Sequence, residues 1–288
     1  MPRDVLASIQ SNMSTFSKGQ KLIANFILES YDKAAFMTAR RLGVIAHVSE
    51  STVVRFAVHL GYDGYPSMQK ALQELIRGKL TSIQRIQVSH DQMSGGDVLG
   101  SVMQRDMNSI HTAIENIDRA EFDRVVGLLL GAAHIYLLGV RSSAFLAGYL
   151  NFYMQLLFKN LTLVQSSVSG SIFEQLVQIG PGDVLLGISF PRYSKTAVNA
   201  VQYARERGAE VVAITDSRMS PLYQAAQASL LVRSDMISFV DSMAAPLSLL
   251  NALILALGRR KSEEVSGTFA ELERVWSKYS VFGKADDE

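Results

Sequence analysis

The chain reads as an all-α helix-turn-helix domain followed by an α/β domain with a doubly wound, parallel, five-stranded sheet. Three features of its 288 residues lead there. Up to residue 80 the apolar residues recur at helical spacing, and between Thr38 and Leu60 two short helical segments meet at a tight turn. From Ile86 to Asp97 apolar content falls and Ser, Gln, His and the pair Gly95-Gly96 take over, which marks a linker. Beyond Ala133 short continuous apolar runs alternate with helical stretches, as parallel strands buried on both faces do. The expected boundaries are 1–80 for the helical domain, 81–97 for the linker and 98–288 for the α/β domain.

Composition narrows the function classes. With 48% hydrophobic and 19% charged residues the chain can build proper cores without staples. It has no cysteine, which excludes disulfides, thiolate nucleophiles and zinc–thiolate sites and makes the reducing cytoplasm the simplest home. The opening MPRDVLASIQSNM lacks a continuous apolar stretch, so no secretion signal is expected. The most apolar helical stretch, 244–257, is interrupted by Pro246, Ser248 and Asn251 and is too short to span a bilayer. His111 and His134 are isolated, so neither a metal site nor a cofactor is expected. The net charge of +1 conceals an asymmetry: residues 1–85 carry 11 Lys and Arg against 6 Asp and Glu, and the remainder 17 against 21. A basic front and an acidic back suit a nucleic-acid module joined to a small-molecule module.

In the front half, helices are expected over 4–13 and 17–30, the second opened by Ser17 and turning Leu22, Ile23, Phe26 and Ile27 inward. Tyr31-Asp32-Lys33 breaks the pattern. Thr38 caps a short helix carrying Leu42 and Ile45, the turn falls at His47, and Ser49 caps the next helix. Val48 and Val53 are spaced as a hydrophobic staple across that cap. At about 100° per residue, Ser51, Thr52, Arg55 and His59 share one polar arc, and Val53, Phe56, Ala57 and Leu60 fall opposite. Short hydroxyls plus Arg on a free helical face suit the DNA major groove, where Arg reads guanine and hydroxyls reach bases or phosphates. The expected DNA contacts are Thr38, Ser49, Ser51, Thr52, Arg55 and His59, with Glu50 complementing the helix dipole. An ordinary helical hairpin with a solvated face shows the same spacing. Gly61-Tyr62-Asp63-Gly64 is turn chemistry, and a further helix from Pro66 repeats Met68, Leu72, Leu75, Ile76 and Leu80.

The back half opens on a helix over 98–117 whose stripe Leu99, Met103, Met107, Ile110, Ile114, Ile117 needs a covering partner, either the next domain or a second copy. Strands are expected at 134–138, 161–164, 183–189, 210–215 and 229–232. In a doubly wound sheet ligands bind beyond the carboxyl ends of the strands. There the chain places Gly139, Arg141, Ser142 and Ser143, then Ser189, Arg192, Ser194 and Lys195, two loops that each open a helix with hydroxyls and Arg. Such helix starts hold anions, although each hydroxyl taken singly also serves as a plain cap. The final helix carries Phe269, Leu272, Trp276 and Tyr279 at helical spacing and ends in Asp286-Asp287-Glu288. That aromatic edge is expected to pack on the 98–117 helix or on a second copy.

With both halves in view, the chain resembles the RpiR-type bacterial transcription regulators, which join a helix-turn-helix domain to a sugar-isomerase (SIS) domain. The resemblance rests on the run Val48 to Phe56, Leu60-Gly61-Tyr62 with Gly64-Tyr65-Pro66, Pro181-Gly182-Asp183-Val184 leading to Ile188-Ser189, and Ala204 to Ala209 leading to Thr215-Asp216. It implies a regulator that binds double-stranded operator DNA as a homodimer or homotetramer and senses a small anionic effector, a phosphorylated sugar or sugar acid. Two departures stand out. His47 replaces the family's usual turn glycine, a position His tolerates at positive φ. The phosphate loop, usually Ser-x-Ser-Gly-x-Thr, has Pro191 and Arg192 in its middle, which removes an N–H donor and offers a guanidinium instead. Either Arg192 now grips the anion or phosphate binding is lost. Glu174 lies where enzymes of this class carry a catalytic carboxylate, so the alternative reading is a phosphosugar isomerase with a helical appendage.

Overall fold

The computed structural model describes residues 5–76, 81–83, 85–86, 97–165 and 171–282. Leu80, Gly95-Gly96, most of the expected linker and the acidic tail lie outside the described residues. The chain divides into two compact units, residues 1–97 with 236–240, and 98–235 with 241–288.

The first unit is helical: α1 Val5–Ser11, α2 Lys18–Glu29, α3 Tyr31–Ala34, α4 Ala39–Ile45, α5 Glu50–His59 and α6 Tyr65–Ile76. Ser17 and Gln20 form a reciprocal capping box that starts α2. Ile9, Ile23, Ile27, Leu42, Phe56, Met68, Leu72 and Ile76 are fully buried and make its core. The expected break at 31–33 is instead the single turn α3. Ser30 leaves helical geometry, yet its carbonyl accepts from the N–H groups of Lys33 and Ala34, so a new turn starts at once. Tyr65 fastens α6 to this region by donating its O–H to the Met37 carbonyl at 2.7 Å. Burial raises its pKa to about 12, so the donor stays protonated. Gln69 donates to the same carbonyl at 2.8 Å, so Tyr65→Phe leaves no orphaned acceptor. The substitution is expected to cost about 1 kcal/mol, read as a fall in the urea midpoint at unchanged m-value.

The second unit begins with α7 Val98–Asn116 and α8 Arg119–Gly131. Five parallel strands follow: β1 Ile135–Gly139, β2 Leu161–Val164, β3 Val184–Ile188, β4 Glu210–Thr215 and β5 Ala228–Leu231, in the order β2-β1-β3-β4-β5. Helices α9 Ser143–Met154, α10 Ser171–Gln175, α11 Lys195–Glu206 and α12 Pro221–Ala225 connect them. Side chains alternate between two cores, one on each face. Ile135 and Leu137 enter one, and Tyr136 and Leu138 the other. A short ladder of β6 Asp235–Met236 with β7 Asp241–Ser242 leads to α13 Ala244–Arg260 and α14 Ser262–Tyr279. No helix among the described residues is long and apolar enough to cross a membrane.

The α7 stripe divides. Ile110 and Ile117 pack on the sheet core, whereas Leu99, Met103, Met107 and Ile114 are exposed. The buried side of α7 is set by Ser109, Ile110, Ala113 and Ile117, so the heptad-like row lies half over the edge. In α14 no residue is buried, and Phe269 and Tyr279 are exposed.

Candidate functional site

Two places in the structure carry chemistry, one in each unit. In the first, Thr38 caps α4 by accepting from the Arg41 N–H, and Ser49 caps α5 by accepting from the Thr52 N–H. Between them the chain turns through a Schellman closure. The Val48 N–H donates to the Gly43 carbonyl at 2.8 Å, the His47 N–H donates to that of Val44, and His47 sits at φ 54°. His thus fills the left-handed position. A Cβ on Gly43 would meet the Val48 carbonyl at 2.9 Å, so the close approach of the two helices needs glycine there.

Helix α5 buries Val53, Phe56 and Ala57. Ser51 and Arg55 are exposed on the opposite side, where the sequence places them. Thr52 and His59 lie at the edge of that arc, nearer α2. Thr52 is half-buried, and its hydroxyl shares a hydrogen bond with Ser49 at 2.8 Å. The His59 ring lies 3.4 Å from both Thr15 Oγ1 and Gln20 Nε2 and packs edge-on to Phe16. The free face instead holds Val54 and Val58 beside Ser51 and Arg55. Neither valine is among the residues that the polar arc singles out, although the same helical wheel sets both off the core side.

In the second unit β1 lies between β2 and β3, and the direction of winding reverses at the β1–β3 junction, where doubly wound sheets of this order bind ligands. Gly139 pairs with Ile188, so the loops after both strands leave the sheet side by side. In the first loop Arg141 is exposed at φ 60°, Ser142 makes no side-chain cap, and Ser143 is buried as the first residue of α9. A Cβ on Gly139 would lie 2.2 Å from the Ser143 carbonyl oxygen, so only glycine lets the start of α9 close on the strand.

The second loop is held at several points. The Ser189 N–H donates to the Ile214 carbonyl, and the Ser189 carbonyl accepts from the Thr215 hydroxyl at 2.7 Å. Phe190 and Pro191 are buried. Tyr193 donates its O–H to Asp216 Oδ1 at 2.7 Å, and Ser194 caps α11. Burial and the Asp216 charge both raise the Tyr193 pKa, so it remains a donor. Arg192 and Lys195 are exposed between and beyond these anchors. Of the expected residues, the register starts the loop of Gly139, Arg141, Ser142 and Ser143 beside the strand end from which the loop of Ser189, Arg192, Ser194 and Lys195 leaves. The Tyr193–Asp216 and Thr215–Ser220 contacts were not foreseen as site structure. The only signal for them is the polar pair Thr215-Asp216 closing an apolar strand.

A helix-turn-helix head joined to a doubly wound SIS-type domain defines a DNA-binding transcription regulator. Residues 3–78 match the model of the helix-turn-helix domain of the rpiR family, and residues 128–256 that of the SIS domain. The chain belongs to the RpiR-type regulators. It is 28% identical over 215 residues to the HTH-type transcriptional regulator HexR of Escherichia coli, covering 74% of this chain and 73% of that protein. To HexR of Pseudomonas aeruginosa it is 26% identical over 225 residues, covering 77% and 76%. The NanR protein of Vibrio vulnificus, solved in complex with ManNAc-6P, has the same fold, with 24% identity, a TM-score of 0.60 and coverage of 97% of this chain and 100% of that one.

Proposed function

We propose that the SIS-type domain holds a small anionic sugar-derived effector, a phosphorylated sugar or sugar acid, in the crevice where β1 and β3 end. Occupancy shifts the placement of two DNA-reading heads within a homodimer or homotetramer, and half-sites on DNA then fit better or worse. The observation that carries this reading is the Gly139–Ile188 pairing, from which the loops bearing Arg141 and Arg192 leave the sheet at adjacent strand ends. The ManNAc-6P bound by NanR supports a phosphosugar class. Titrating full-length protein on its selected duplex with a panel of hexose 6-phosphates, amino-sugar phosphates and aldonates tests it: one class changes DNA affinity, and silence across all three would sink the effector reading.

The domain acts as a sensor and not as a catalyst, working in the cytoplasm where its DNA lies. Two regulators among its relatives and an exposed Glu174 on the short helix α10 support that. Association of copies is supported by the face of α9, α13 and α14, where Tyr153, Leu255 and Phe269 are exposed around a groove of about 700 Å³. Light scattering at micromolar concentration should give a dimer or larger; a monomer would count against this face.

A further inference from the structure

We infer that Val54 and Val58 on α5 read thymine, by packing against the C5-methyl groups that line the major groove. The inference rests on α5 being the helix that enters the groove, and it adds an apolar component to the readout by Ser51 and Arg55.

The four residues Ser51, Val54, Arg55 and Val58 stand at i, i+3, i+4 and i+7, the spacing at which one helical face presents consecutive side chains. All four are exposed, with Val54 at 39% and Val58 at 54%, while Val53, Phe56 and Ala57 hold the opposite face in the core. Val58 lies about 150° from the centre of that core, between Val54 and Ser51 on the helical wheel.

Valine is a poor choice for a free helical face. It has low helix propensity, and its apolar surface is left in water. Both costs are recovered if the face meets an apolar partner. The side chain is also stiff at χ1, so its two methyl groups are held in place before any partner arrives. In the major groove the apolar feature that tells one base pair from the others is the thymine methyl. Arg55 on the same face and the excess of Lys and Arg over residues 1–85 favour DNA over a protein as the occupant.

The test uses the full-length protein. Duplexes are selected from a randomised pool, each thymine of the selected site is replaced singly by uracil, and binding is followed by fluorescence anisotropy for the wild type, Val54→Ala and Val58→Ala. Uracil lacks only the methyl group. At one or more positions it should weaken wild-type binding about fourfold, the effect of one buried methyl. The matching valine variant should bind the thymine duplex as weakly as the wild type binds the uracil one, and should not distinguish the two. The slope of affinity against salt should stay unchanged, since neither valine meets a phosphate. Alanine favours the helix more than valine, so the variants should melt no lower than the wild type. A uracil scan that is flat on a site the protein selects would overturn the inference while leaving the DNA-binding reading intact. So would penalties undiminished in both variants, or a change of oligomeric state in Val58→Ala with DNA binding untouched. Failure to select any duplex would remove both.

Discussion

Arg55→Ala is expected to lower affinity for the selected duplex by about ten- to a hundredfold, the value of one good bidentate base contact, and to flatten the preference among sequences. The expectation follows from position. Arg55 is exposed on the helix face opposite Val53, Phe56 and Ala57, so its truncation removes no core contact. Its charge and fork remain available to a base edge, whereas the cation that merely meets a phosphate weakens all sequences alike. The measurement is a pair of anisotropy titrations, on the selected and on a scrambled duplex, over a salt series. Loss confined to the selected duplex assigns Arg55 to base reading. Equal loss on both, with a shallower salt slope, would assign it to the backbone. Unchanged titrations on both would remove α5 from the groove.

What the sequence made legible follows from which signals are local. The strands at 161–164 and 210–215 stand where the apolar runs lie; β4, buried after Glu210, needs an uninterrupted run because both its faces are covered, whereas the edge strand β2 fully buries only Val164. The caps Ser17, Thr38 and Ser49 were equally readable, since a hydroxyl and the N–H three residues on suffice to specify them. His47 was legible as a left-handed turn residue through the resemblance, since it stands where the family usually has glycine, and the Schellman closure imposes positive φ there. Illegible features depend on what lies across space. His59 shares the polar arc of α5 on a wheel, but only tertiary packing draws it toward α2, through Thr15, Phe16 and Gln20. The α7 stripe is continuous in sequence, and its division between core and surface depends on how much of it α13 covers. Likewise the pairing of Tyr193 with Asp216 spans 23 residues and two strand ends, and no period in either segment announces it.

That last contact bears on the second large effect. Arg192→Ala is expected to abolish the response of DNA binding to effector while leaving effector-free DNA affinity unchanged. The loop that carries Arg192 is anchored on both sides, by buried Phe190 and Pro191 before it and by Tyr193 on Asp216 after it, and Ser189 is tied by its own backbone to β4. Truncating the exposed side chain between those anchors should therefore leave the loop where it is. What is lost is the fork of donors that stands where related loops offer backbone N–H groups, a function Pro191 cannot supply. A charge-assisted contact of that kind contributes about 1.5–3 kcal/mol, so effector should bind at least about tenfold more weakly. Arg192→Lys separates charge from geometry: it keeps the cation and loses the planar fork, and should fall between the two. Calorimetric titration with the responsive member of the sugar phosphate and aldonate panel reads the affinity, and anisotropy with the operator duplex reads the response. Should Arg192→Ala still release or tighten on DNA at wild-type effector concentrations, the anion sits elsewhere and the crevice at the β1–β3 junction is not the sensor.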